Sequence, residues 1–137
     1  MQSPRKQRLT IAVRILLLIG AVPAVDVVYA RLEGWITFQP HQSLLLSIAW
    51  ETALYALTAS LIAILSVMLF GRFAYRAAAV IALPIIWRLL PWNPVEHDVP
   101  WPPTHWAISF YELFSFMMFI ALATYSTLRS RRFLSYH

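Results

Sequence analysis

Apolar residues in this chain gather into four long runs, at about 10–30, 43–70, 73–92 and 106–128, separated by short polar segments. At 1.5 Å per residue, about 20 helical residues match the roughly 30 Å hydrocarbon layer of a bilayer, and every run reaches that length. The pattern predicts an all-α protein, an integral membrane bundle of four transmembrane helices forming one domain over residues 1–137, with no soluble domain.

Each run carries marks of its own. The first has Pro23 in its outer half. Its basic start and Val28-Tyr29-Ala30 resemble a cleavable signal peptide, but Asp26 sits awkwardly before such a site, so the segment is expected as a retained helix. The second, about 28 residues long, would make about 42 Å of helix and must tilt or project outward. Small residues recur along it at Ala49, Ala53, Ala56, Ser60 and Ala63, a spacing that lets another helix approach. Ser47, Glu51, Tyr55 and Thr58 form a polar stripe of the same period, so one face is expected against protein rather than lipid. The third run contains Pro84, which predicts a kink, and Arg88 one turn later. The fourth holds Phe110, Tyr111, Phe114, Phe116 and Phe119, with Ser109, Glu112 and Ser115 toward one side.

Charge then orients the runs. Alternate connections are basic, at Arg5, Lys6 and Arg8, at Arg72 and Arg76, and at Arg129, Arg131 and Arg132. All 6 acids, all 6 tryptophans and only Arg31 and Arg88 among the 11 basic residues fall on the opposite side of the predicted midplane. By the positive-inside rule both termini are cytoplasmic, and the setting is the plasma (inner) membrane of a bacterium. Composition agrees: with 60% hydrophobic and 12% charged residues, a chain this short has too few polar groups to cover a water-soluble globule. The net charge of +5 sits beside the spans, where it meets anionic headgroups, so nucleic acid is not an expected partner. The chain has 0 cysteines, which excludes disulfides, thiolate metal sites and cysteine nucleophiles.

Counting inward from the outer ends brings four charged residues to one level. Asp26 and Arg88 lie about 6 Å below their span ends and Glu112 about 9 Å, while Glu51 starts at about 12 Å and rises with the excess length of its helix. A charge at membrane depth costs several kcal/mol unless paired, hydrated or neutralised, so Asp26, Glu51, Arg88 and Glu112 are expected to face the bundle interior and one another. One guanidinium forks onto one or two carboxylates, which leaves at least one acid over. Two readings of this intramembrane polar cluster stand together: a cation or proton site open to the outer face, and a structural clasp near the headgroups. Docking to a basic residue of a partner subunit lies between them.

Prolines 91, 94, 100, 102 and 103 impose an extended, semi-rigid path on the external segment 93–105, which is not expected to form regular helix. His41, Glu96, His97, Asp98, Trp101 and His105 are its candidate contacts to a ligand or partner. No recognised metal-ligand spacing joins them, so no metal site is predicted and they read as solvated loop residues. The tryptophans are expected as an aromatic belt at the outer interface. No phosphate loop, nucleophile elbow or zincin motif is present, so no catalytic residues are assigned.

The function these features lead to is a small non-catalytic membrane protein, an accessory or assembly subunit that packs against another membrane protein or against itself. The alternative is a small oligomeric cation- or proton-coupled transporter or channel using the outer carboxylates; a lipid-acting enzyme with His97 or His105 as base ranks third. Membrane lipids are expected neighbours, a bound lipid among them, and no cofactor is expected.

Overall fold

The computed structural model describes residues 4–37, 43–90 and 103–134, without the side chains of 4–9, 36–37, 44, 104–105 and 132–134. Helix α1 is Pro4–Thr37, α2 is Leu44–Phe70, a 3-10 turn covers Gly71–Phe73, α3 is Ala74–Leu89 and α4 is Pro103–Leu134. Among the described residues there is no strand. Three stretches are long and apolar enough to cross a membrane, Thr10–Trp35, Leu45–Leu89 and Trp106–Arg131, and they are compatible with a membrane protein.

The middle stretch is a helical hairpin. Ser43, in extended conformation, opens α2 by accepting the Leu46 N–H on its hydroxyl at 3.3 Å. Gly71 closes it at φ 51°, ψ −109°, a backbone region that side chains resist, and its N–H returns to the Val67 carbonyl. Arg131 of α4 donates Nη1 to that same carbonyl at 2.6 Å, tying the end of α4 to the end of α2. From this turn α3 runs back along α2 until Leu89 joins Leu54 and Tyr55 in one core cluster.

Two helices form the middle of the bundle. Both α2 and α3 touch every other helix, while α1 and α4 stand at far corners with at most marginal contact. Helix α3 can be central because its inner face is small: Ala74, Ala77, Ala78, Ile81, Ala82, Ile85 and Leu89 recur at helical spacing and are all buried. Ala59, Ile62 and Ala63 of α2, Val25 and Tyr29 of α1, and Phe116 of α4 complete the interior. Elsewhere hydroxyls bond back to their own helices, Thr52 to Ile48, Ser60 to Ala56, Thr127 to Ala123 and Ser130 to Ser126, so they demand nothing from an apolar surround.

Several expectations change here. Helix α1 continues past 30 to Thr37 and α4 past 128 to Leu134, because the backbone ladder of a helix does not stop where apolar side chains do. The start of α4 takes residues 103–105 out of the external segment expected to be irregular. Pro103 sits at its first position, where the missing N–H costs nothing and the fixed φ suits the helix. Helix α3 ends at Leu89 rather than 92, and it continues through Pro84, whose absent N–H removes the usual donor to Val80. On α2 the polar stripe faces inward, with Tyr55 and Thr58 buried and Ser47 and Glu51 half-buried. The small-residue stripe mostly faces outward: Ala49, Ala53 and Ser60 are exposed, Ala56 is half-buried and only Ala63 is covered.

Candidate functional site

Residues at helical spacing on three helices gather with Arg88 of α3 at one end of the bundle. On α1, Asp26, Tyr29 and Glu33 follow one another at three and four residues and so share a face. Helix α2 contributes Glu51, Thr52 and Tyr55, and α4 contributes Tyr111, Glu112 and Phe116. Arg88 enters from the last turn of α3.

The predicted layer resolves into two pairs. Arg88 forks onto Asp26, Nε to Oδ1 and Nη2 to Oδ2, both at 3.1 Å. This two-bond geometry is the strong form of the interaction, and it joins α1 to α3 across 62 residues of sequence. The fork stands at the flank of the bundle, with side-chain exposures of 45% for Arg88 and 24% for Asp26. On the other side, Glu51 and Glu112 lie within electrostatic reach of each other across the α2–α4 seam. Two acceptors so placed are compatible with each other only through a shared proton, a cation or a donor brought by another molecule.

Between the pairs stand two phenols. Tyr29, 0% exposed, and Tyr55, 3% exposed, stack with ring centroids 6.4 Å apart and planes 16° from parallel. Phe116 meets Tyr55 edge-on at 6.0 Å. Tyr29 lies within electrostatic reach of Arg88 on one side and of Glu33, Glu51 and Glu112 on the other. Its buried hydroxyl has Tyr55 as its nearest polar neighbour, without the geometry of a full hydrogen bond. Beside the acids, Thr52 gives its only hydroxyl proton to the Ile48 carbonyl at 2.7 Å, so in its 3.3 Å contact with Tyr111 the tyrosine is the donor. That contact sets the register of α2 against α4 one residue away from each acid.

All four residues of the predicted cluster thus come to one end of the bundle, though as an ion pair and an acid pair rather than one ring. Tyr29 and Glu33 were not among the expected site residues. Ending the first span at 30 put Glu33 in a loop; the signal for both was the three- and seven-residue offset from Asp26. Of the external contacts, His41, Glu96, His97, Asp98 and Trp101 lie outside the described residues, as does the side chain of His105. Among the described residues no three His, Cys, Asp or Glu side chains gather as metal ligands. Trp35, Trp50, Trp87 and Trp106 are all exposed at the same end as the acids, whereas Arg72, Arg76, Arg129 and Arg131 mark the other.

Comparison with protein-family models, with curated proteins and with solved structures gives no match for this chain.

Proposed function

We propose that this chain is a small non-catalytic membrane protein that crosses the bilayer of a bacterial plasma membrane four times, with both ends cytoplasmic, and serves as an accessory subunit clasped to another membrane protein or to its own copy. The observation that carries this is the ridge of Ala49, Ala53 and Ser60, exposed on α2, with Ala56 half-buried between them. In lipid, helices gain little by hiding apolar surface from one another and associate where small side chains let backbones come close. The chain buries such a surface on α3 and on Ala59 and Ala63 of α2, yet leaves the Ala49–Ser60 ridge to whatever lies beside it. Ser60 already bonds to the Ala56 carbonyl, so the ridge is shaped for close packing without asking for a polar partner.

Because the chain has 0 cysteines, single cysteines report contacts without background. Ala53→Cys and Ser60→Cys should crosslink in native membranes to a second chain, whose mass tells a foreign subunit from a copy, while Leu16→Cys on the exposed face of α1 should not. Equal, lipid-like reactivity at all three positions with no crosslinked product removes the proposal.

One observation favours the alternative, a cation- or proton-coupled transporter built from several copies. It is the Glu51–Glu112 pair, which faces no guanidinium of its own on α3, since Arg88 is already committed to Asp26. Protein reconstituted in liposomes should then carry a cation or proton flux abolished by Glu51→Gln and by Glu112→Gln separately. A flux indifferent to both substitutions ends that role for the pair.

A further inference from the structure

Hydroxyl side chains on α2 and α4 divide into two groups. Thr52, Ser60, Thr127 and Ser130, exposed or half-buried, each donate to the carbonyl four residues back at 2.7–3.0 Å. Thr58, Ser66 and Thr124, at 3%, 0% and 0% exposure, do not, and their oxygens have no hydrogen-bond partner among the described residues. The division runs against expectation. A surface hydroxyl in lipid satisfies itself because nothing else will, whereas an interior hydroxyl left alone destabilises the fold by its full desolvation.

The facing side chains offer no answer. The inner face of α3 carries Ala74, Ala77, Ala78 and Ile81, and the buried neighbours on α2 are Ala59, Ile62, Ala63 and Val67. What remains is backbone: the carbonyls of Leu54, Ile62 and Ile120, one turn before each hydroxyl, keep a second lone pair beyond the helical ladder. A ligand suited to a neutral hydroxyl and a carbonyl between small apolar walls is itself small, uncharged, and both donor and acceptor.

We propose that Thr58, Ser66 and Thr124 each bind a buried water molecule, which accepts the hydroxyl proton and donates to the carbonyl one turn earlier. Each site is local to its own helix. Globular proteins hold about one buried water per 27 residues, so three in a chain of 137 is an ordinary number. The contacts of Thr52 with Tyr111, Tyr55 with Phe116 and Val67 with Arg131 keep α2 and α4 side by side, which brings Thr124 level with the stretch from Ser60 to Ala63. It therefore falls between Thr58 and Ser66, themselves about 12 Å apart along α2. Bound water at these levels extends the polar interior from the tyrosine pair toward the arginine end. The inference rests on neither the α2 ridge nor the acid pair.

Solid-state NMR of the full chain in hydrated phosphatidylcholine bilayers tests it. After selective excitation of water, magnetisation should reach the methyl groups of Thr58 and Thr124 and the β-protons of Ser66 several times faster than the methyls of Ala59 and Ala63, which are 0% exposed and carry no hydroxyl. Equally slow transfer at all five overturns the proposal, because a hydroxyl that is dry or bonded straight to its own carbonyl does not exchange with water. Equally fast transfer overturns it too, by showing an interior wet throughout. Thr124→Val keeps the shape of the side chain and removes its oxygen. It should abolish the fast transfer at 124 and lower the melting temperature in mild detergent by about 2–4 °C, while Thr124→Ser retains most of the transfer. A raised melting temperature for Thr124→Val is the mark of an unsatisfied hydroxyl without water, and it refutes the site.

Discussion

Asp26 and Arg88 illustrate how a charge lives at the flank of an apolar bundle: each is only partly covered, and each is tolerated because the other supplies two bonds. Removing one partner should therefore hurt more than removing both. We expect Arg88→Leu to lower stability by roughly 1–3 kcal/mol, below the full cost of breaking a buried pair because the fork is partly exposed. The Asp26→Val, Arg88→Leu double variant should lose less than the sum of the single changes. Thermal unfolding in a mild detergent measures this, and strictly additive losses would show that the fork contributes nothing. That these residues share one end of the bundle was readable by counting from the span ends. Their partition into Asp26–Arg88 and Glu51–Glu112 was not, because which acid an arginine takes depends on which helices are neighbours. Glu33 escaped notice for a simpler reason: a hydropathy count ends where charge begins, while the helix carries on to Thr37.

Helices in this chain are set by different devices. Helix α2 is bounded by its Ser43 cap and by Gly71, whose φ of 51° and ψ of −109° fit no other residue comfortably. A Cβ on Gly71 would meet Arg131 Nη1 only at 3.6 Å, an ordinary contact, so the penalty for Gly71→Ala comes from the backbone and should be about 1–3 kcal/mol. The same substitution at Gly20, where a Cβ meets nothing within 4 Å, should be neutral or slightly stabilising. A melting temperature equally unchanged by both substitutions would show that the hairpin turn does not need its glycine. Existence and approximate length of α2 were plain from apolar run length. Its facing was only half plain: two stripes of equal period compete for the interior, and α3 decided between them by offering a small-residue face that the larger, polar stripe could reach.

Among the described residues, tryptophans and acids stand at one end with Arg31 and Arg88, and Arg72, Arg76, Arg129 and Arg131 at the other, although α2 and α4 run opposite to α1 and α3. The four crossings with cytoplasmic ends proposed above would produce that sorting, and they predict the behaviour of reporters. A reporter after His137 should be active only in its cytoplasmic form, and one inserted in segment 91–102 only in its exported form. The reverse pattern, or an exported reporter at both places, would require another path for the 16-residue α3, which at about 24 Å is shorter than the apolar layer. Helical class, the apolar stretches and the segregation of charge were written in the linear chain, because each depends on residue type and spacing alone. Which helix lies at the centre, which ridge of α2 stays uncovered and which acids meet required the assembled bundle. These are outcomes of close packing between residues far apart in sequence, and composition carries no record of who becomes whose neighbour.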